Sequence, residues 1–367
     1  MPLGQHCMLL RLPLLAMRVV ASGAASRSLS AAASATLDYV RQGPIWDAVR
    51  ELDVPAEDWV RHGDEMVAQL SSASVAPGAT PYELDEGIAT RVYHLYLPIF
   101  FFCRQRVRLH QAEGTVPIIG LSAPQGCGKT TLVDLLTDRF AADGLMCAAV
   151  SFDDFYLTGA EQDAVAAANS ENALLQVRGN AGTHDLRLGT HTLHALTADT
   201  GSEVPIPIPR YNKAARGGRG DRAEPDTWRV LDSRPDVVLF EGWMAGFSAL
   251  HEGHDGLQAH PGLPHLNSVL RGYEEWHSLV DSWVVLAVDD PNIVFQWRLE
   301  AERAMRASGR GGMNDEQVHD FVSRYLPAYG AYLPSLYASA RTSGVDGKPT
   351  LFVKVNEKRG PVFCHDG

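Results

Sequence analysis

The feature that most constrains this chain is a 14-residue stretch, IGLSAPQGCGKTTL, at 119–132. A short apolar strand (VPIIGL) runs into it. A helix leaves it through KTTLVDLLTDRFAADG, with Leu132, Leu135, Leu136 and Phe140 on one face and Gly144 as a stop. A phosphate-binding loop wants Gly, four residues, then Gly-Lys-Ser/Thr between such a strand and helix. Gly128, Lys129 and Thr130 fit; the first position is Ala123. Small residues let backbone N–H groups face phosphate oxygens, and the helix N-terminus adds a favourable dipole. Ala123, Pro124, Gln125, Gly126, Cys127, Gly128, Lys129, Thr130 and Thr131 are therefore the candidate nucleotide-binding residues. Lys129 would reach the β- and γ-phosphates, and the Thr130 hydroxyl would hold Mg²⁺.

Such a loop commits the chain to an α/β fold. Apolar runs MCAAVSF (146–152), DVVLF (236–240), SWVVLAV (282–288) and TLFVKV (350–355) supply four more strands, separated by helical stretches. Continuously apolar strands alternating with helices predict a five-stranded parallel sheet with crossover helices. Carboxylates at the C-terminal ends of such strands face the ligand crevice. Asp153 and Asp154 end the second strand, and Glu241 ends the third. One acid to hold Mg²⁺ and one to act as base beside an acceptor hydroxyl is what a small-molecule kinase needs. Asp154 reads equally as a cap for the next helix. A GTPase would want Asn-Lys-x-Asp; the only Asn-Lys, Asn212-Lys213, is followed by Ala214 in a loop.

The substrate-side candidates sit in two polar loops. RGNAGTHDL (178–186) holds Arg178, His184 and Asp185; the long Gly/Arg/Pro-rich segment from 207 to 228 holds Arg210, Tyr211 and Lys213. Arginine forks suit carboxylates and phosphates, so Arg178 or Arg210 is expected to grip an anionic acceptor. A later helix carries Arg298, Arg303, Arg306 and Arg310, either a solvated basic face or a lid closing on the transferred phosphoryl group.

Before residue 116 the texture is helical, and residues 38–115 read as an N-terminal helical layer. The first 37 residues have Arg11, Arg18 and Arg27, no Asp or Glu, and an Ala/Ser-rich run. This is the composition of an organelle transit peptide, with a secretory signal as the rival. The expected boundaries are 1–37 leader, 38–115 helical region, 116–360 kinase domain and 361–367 tail. The net charge of −12 argues against a nucleic-acid binder. No apolar run reaches membrane-spanning length. The five cysteines are scattered and form no CxxC, which fits a reducing compartment. Cys127 lies inside the phosphate loop, where the helix N-terminus and Lys129 are expected to favour its thiolate. The His-rich tract HEGHDGLQAHPGLPH (251–265) lacks tight ligand spacing.

Taken in order, SAPQGCGKTTL, DDFYLT, ENALLQVRGNAGTHDL, PRYNKAARGGRGDRA, VVLFEGWMAGF, DPNIVFQWRLEAE and FVSRYLPAYGAYLPSLY resemble the plant-type D-glycerate 3-kinases. These belong to the P-loop kinase branch shared with phosphoribulokinase and uridine kinase, in which alanine at position 123 is normal. The resemblance implies ATP- and Mg²⁺-dependent phosphorylation of D-glycerate, in the photorespiration of the chloroplast stroma, with a mitochondrial location as the second choice. It places the catalytic base on Asp153 and Tyr156 near the acceptor. It makes Arg178, His184, Asp185, Arg210, Tyr211 and Lys213 acceptor candidates, and Glu241 with Thr130 the metal pair. Arg298 and Arg303 join the nucleotide side. Asn212 stands where the family pattern has Asp, so no catalytic role follows for it. A monomer acting on a small molecule is expected. The alternatives are a phosphoribulokinase- or uridine kinase-like enzyme, or a non-kinase P-loop ATPase or metal chaperone.

Overall fold

The computed structural model describes residues 31–71, 79–198, 204–309 and 312–363. Most of the expected leader, residues 72–78, Arg310 and the last four residues of the tail lie outside these.

The core is one five-stranded parallel sheet. Its strands are β1 (Ile118–Ser122), β2 (Cys147–Ser151), β3 (Val237–Gly242), β4 (Ser282–Ala287) and β5 (Thr350–Lys354), in the spatial order β2-β3-β1-β4-β5. Each falls on an expected apolar run, and the expected P-loop kinase architecture is present. Two hydrophobic cores, one on each face, explain why the strands read as unbroken apolar stretches. Ile119, Leu121, Val237, Leu239, Val284 and Leu286 face one core; Ile118, Val238, Phe240, Trp283 and Val285 face the other.

The first core is shared with the N-terminal helical layer. Trp59 and Met66 of the helix Ala56–Leu70, and Ile99, Phe100, Phe101 and Cys103 of the helix Leu97–Glu113, pack with Leu132, Leu136 and Phe140 of the helix Lys129–Ala142. The helix at 86–113 is continuous but contains a π turn, Val92–Tyr96, in which Leu97 N–H reaches back to Val92 O. Pro98 follows at once and has no N–H to give, so the wider turn absorbs the missing bond. A further helix at 31–40 crosses the expected leader boundary and buries Ala33, Thr36 and Val40.

The segment expected to be one long loop is instead a double ribbon. Ile206–Ile208 pairs antiparallel with Arg229–Leu231, and Tyr211–Asn212 with Asp221–Arg222. Strands of two or three residues are too short to show an alternating pattern, and Pro and Gly mask them further. The ribbon carries Lys213 at its tip, toward the C-terminal end of β2. Among the described residues no helix is long and apolar enough to cross a membrane.

Candidate active site

The phosphate loop connects β1 to the helix Lys129–Ala142. Ala123 is buried, and its backbone is not among the positive-φ positions, so a methyl group meets no conformational penalty there. The positive φ values fall on Gly126 (+81°) and Gly128 (+98°). The Lys129 ammonium donates to the carbonyls of Ala123 (3.0 Å) and Pro124 (3.3 Å). Gln125 N–H donates to the hydroxyl of the fully buried Tyr329, 3.0 Å away. Arg359 Nε donates to Gly126 O (2.7 Å), and its guanidinium lies over the Trp297 ring. Thr130 and Thr131 are exposed at the start of the helix. The loop is thus clamped by Tyr329 and Arg359, neither of which the sequence singled out as a site residue.

Cys127 departs from expectation. It is buried, and burial pushes its thiol up more than Lys129 pulls it down. The thiolate is disfavoured, not favoured.

Parallel pairing sets Glu241 level with Leu121 on one side and Ser151 on the other, at the crevice end of the sheet. Beyond Ser151 the chain tightens into a 3₁₀ turn, Phe152–Phe155. Asp154 accepts from Ser151 N–H (3.0 Å) and closes a capping box. Burial, opposed by that bond but reinforced by the Asp153 and Glu241 charges, pushes its carboxyl up to about 6. The capping reading of Asp154 is therefore what the structure displays.

Asp153 faces the other way. Tyr156 OH donates to its Oδ1 (2.7 Å) and Lys213 Nζ to its Oδ2 (2.5 Å). Partial burial pushes the carboxyl up, but Lys213 and Tyr156 outweigh it and hold the group below the usual carboxylate range. The Tyr156 ring stacks on His184 (4.6 Å between centroids) and meets the edge of Tyr211 (5.2 Å). His184 Nδ1 lies 2.6 Å from Tyr273 OH, which also accepts from Gly182 N–H. Burial pushes the imidazole down to about 4, so it is neutral. Asp153, Tyr156, His184, Tyr211 and Lys213 are thus brought together.

The other candidates are engaged in other contacts. Asp185 caps the helix Leu186–Thr197 through Leu188 N–H (2.9 Å) and pairs with Arg222 (3.0 Å). Arg178 donates to the carbonyls of Gly218, Arg219 and Lys213 and lies over the Tyr211 ring, so its fork clasps the ribbon. Arg210 is exposed, with only its carbonyl tied, to Ala223 N–H. Arg298 pairs with Glu302 and lies over Phe321; Arg303 pairs with Asp315 at 2.5 Å. Neither lid arginine is paired to the phosphate loop; the loop's neighbour on that helix is Trp297. In the His-rich tract, His254 and His260 accept from Gly256 and Gly262 N–H and close local turns. Among the described residues no group of three or more His, Cys, Asp or Glu could hold a metal.

Comparison with known proteins agrees with the fold and gives the family. Residues 118–254 match the Phosphoribulokinase / Uridine kinase family. The chain is 47% identical over 283 residues to the chloroplastic D-glycerate 3-kinase of Arabidopsis thaliana, a match covering 75% of this chain. The chain spans about three fifths (61%) of that protein's length. It is 36% identical to the protein of Schizosaccharomyces pombe named Uncharacterized kinase mug58, covering 69% of this chain and 92% of that one. The solved D-glycerate 3-kinase of Cryptococcus neoformans superposes with a TM-score of 0.64 at 31% identity, over 73% of this chain and 97% of that one. The chain belongs to the D-glycerate 3-kinase family, within the phosphoribulokinase and uridine kinase branch of P-loop kinases.

Proposed function

We propose that the protein transfers the γ-phosphoryl group of ATP to the 3-hydroxyl of D-glycerate, giving ADP and 3-phosphoglycerate. The observation that carries this reading is the cluster past the end of β2, where Asp153 lies between Lys213 and Tyr156 at the same edge of the sheet as the phosphate loop. Asp153 takes the proton from the acceptor hydroxyl. The new O–P bond forms as the bond from the γ-phosphorus to the bridging oxygen breaks, and ADP leaves with that electron pair. Lys129 and the backbone N–H groups of the loop neutralise the charge that develops on the phosphates. Glu241 and the Thr130 hydroxyl are hard oxygen donors that fit Mg²⁺, which keeps few protein ligands when bound with nucleotide. When bound, that ion offsets the charge on the β- and γ-oxygens. Lys213, the cation bonded to Asp153, receives the glycerate carboxylate.

The name of the Arabidopsis relative supports a chloroplast location, with residues 1–37 as the transit peptide and the stroma as the site of action. A coupled ADP-release assay tests the activity across D-glycerate, glycolate, ribulose 5-phosphate and uridine. D-Glycerate is expected to be turned over fastest. Faster turnover of uridine or the sugar phosphate would refute the assignment.

A further inference from the structure

We propose that the Lys213–Asp153 ion pair is a cap that the substrate itself removes: Lys213 silences the base until the carboxylate of an anionic hydroxy acid draws the ammonium away. This rests on the reading of Asp153 as the base of a glycerate-type kinase.

Both carboxylate oxygens of Asp153 are engaged, Oδ1 by a hydroxyl and Oδ2 by an ammonium at 2.5 Å. A carboxylate held this way is a poor proton acceptor, because the positive charge stabilises its ionised form. His184 is neutral beside it, and the other charge that bears on Asp153 is the Lys213 ammonium. Lys213 is therefore the cation that governs Asp153.

The cap is built to be released. The backbone around Lys213 is anchored: Arg178 holds the carbonyls of Lys213, Gly218 and Arg219, while Arg216 and Arg219 both pair with Asp163. The Lys213 side chain, by contrast, is 60% exposed, against 29% for Asp153. An ion pair open to water on the lysine side is screened there and readily exchanged. A long, flexible side chain can exchange it for another carboxylate with little loss. The forks of Arg178 and Arg222 are committed to loop carbonyls and to Asp185, so Lys213 is the cation bonded to Asp153 that is free to move.

The consequence is selectivity by charge. An anionic acceptor engages Lys213 and frees Asp153 in one event. Asp153 then takes the hydroxyl proton as the oxygen attacks the γ-phosphorus. A neutral polyol of the same size, glycerol, offers the hydroxyl but nothing to draw Lys213 off.

The test compares initial rates with D-glycerate and with glycerol at saturating MgATP, for the parent, Lys213→Met and Lys213→Arg. In Lys213→Met the glycerate KM is expected to rise and glycerol turnover to increase. The glycerate-to-glycerol ratio of kcat/KM should fall about 10- to 100-fold, the scale of a charge-assisted hydrogen bond. Lys213→Arg should keep most of the discrimination. The gain with glycerol should vanish in the double variant Asp153→Asn/Lys213→Met, because the gain acts through Asp153. Stabilisation by MgATP against heat checks that each variant is folded, and Lys213→Gln replaces Lys213→Met if the latter does not fold. A parallel fall with both acceptors, or an unchanged ratio, would overturn the cap. A parent inactive on glycerate would instead overturn the proposed function.

Discussion

Replacing Gly126 by alanine separates two kinds of cost within the phosphate loop. Gly126 has φ +81°, a region that costs an L-residue roughly 1–2 kcal/mol. A Cβ built there would also lie 2.7 Å from Trp297 Cβ. Trp297 cannot easily yield. It is fully buried, its indole N–H donates to Glu357 O at 2.7 Å, and the Arg359 guanidinium covers its ring. Overpacking against such a side chain costs about 1–3 kcal/mol, so Gly126→Ala should lose about 2–5 kcal/mol in all. Gly128 is the internal control. Its φ is +98°, yet an added Cβ would meet nothing within 4 Å, so Gly128→Ala should lose the conformational part alone, about 1–2 kcal/mol. Urea unfolding with a common m-value measures both. Because Arg359 also bonds Gly126 O, Gly126→Ala should raise the KM for ATP more than that for the acceptor. Equal losses in the two variants, or a loss below about 1 kcal/mol for Gly126→Ala, would refute the claim that Trp297 buttresses the loop.

Asp153→Asn should bind ATP normally but lose roughly 10²-fold or more in turnover, the scale of general-base removal; near-normal turnover would remove it from that role. Cys127, with its thiol pushed up by burial, should resist mild oxidants, so the parent and Cys127→Ser should inactivate at the same rate; selective protection by serine would show an accessible thiolate. His277 accepts from Gly246 N–H through Nε2 (3.1 Å), and burial, with Lys348 nearby, pushes it down to about 4. Between pH 6.5 and about 4 the unfolded chain therefore carries a proton that the folded chain does not. Stability is full above the unfolded value and falls as the pH drops through that window, by about 1.4 kcal/mol per pH unit for one such group. His277→Gln should flatten the measured slope there by about one proton, and an unchanged slope would mean that His277 titrates normally when folded.

The sheet was legible because burial on both faces confines polar residues to the strand ends. VPIIGL, DVVLF and SWVVLAV announce themselves by apolarity alone, and each became a strand. Their order was not legible. That β3 lies between β2 and β1 depends on which crossover helix covers which face, and no local stretch records it. The 206–231 ribbon was missed for a related reason. A pairing of two residues, Tyr211–Asn212 with Asp221–Arg222, is held by its surroundings and not by pattern.

The site divides along the same line. Asp153 could be nominated because a strand end fixes where such a residue points, Lys213 as a cation of the long polar loop and Tyr156 through the family resemblance, and the structure brings the three within hydrogen-bonding range. Tyr329, Tyr273 and Arg359 could not. Tyr329 is 204 residues from the Gln125 N–H it receives, and Arg359 is 233 residues from Gly126. Residue chemistry also misleads where it is generic. A guanidinium presents five donors, which suit loop carbonyls as well as a substrate carboxylate. Arg178 turned out to clasp carbonyls of the ribbon, and Arg303 to pair with Asp315. The lysine is the better guide in this chain. Only five occur in it, and two of them, Lys129 and Lys213, sit at the two ends of the proposed phosphoryl transfer. A point charge on a flexible stem can leave one carboxylate for another, which a clasped arginine cannot do without letting go of the loop it holds.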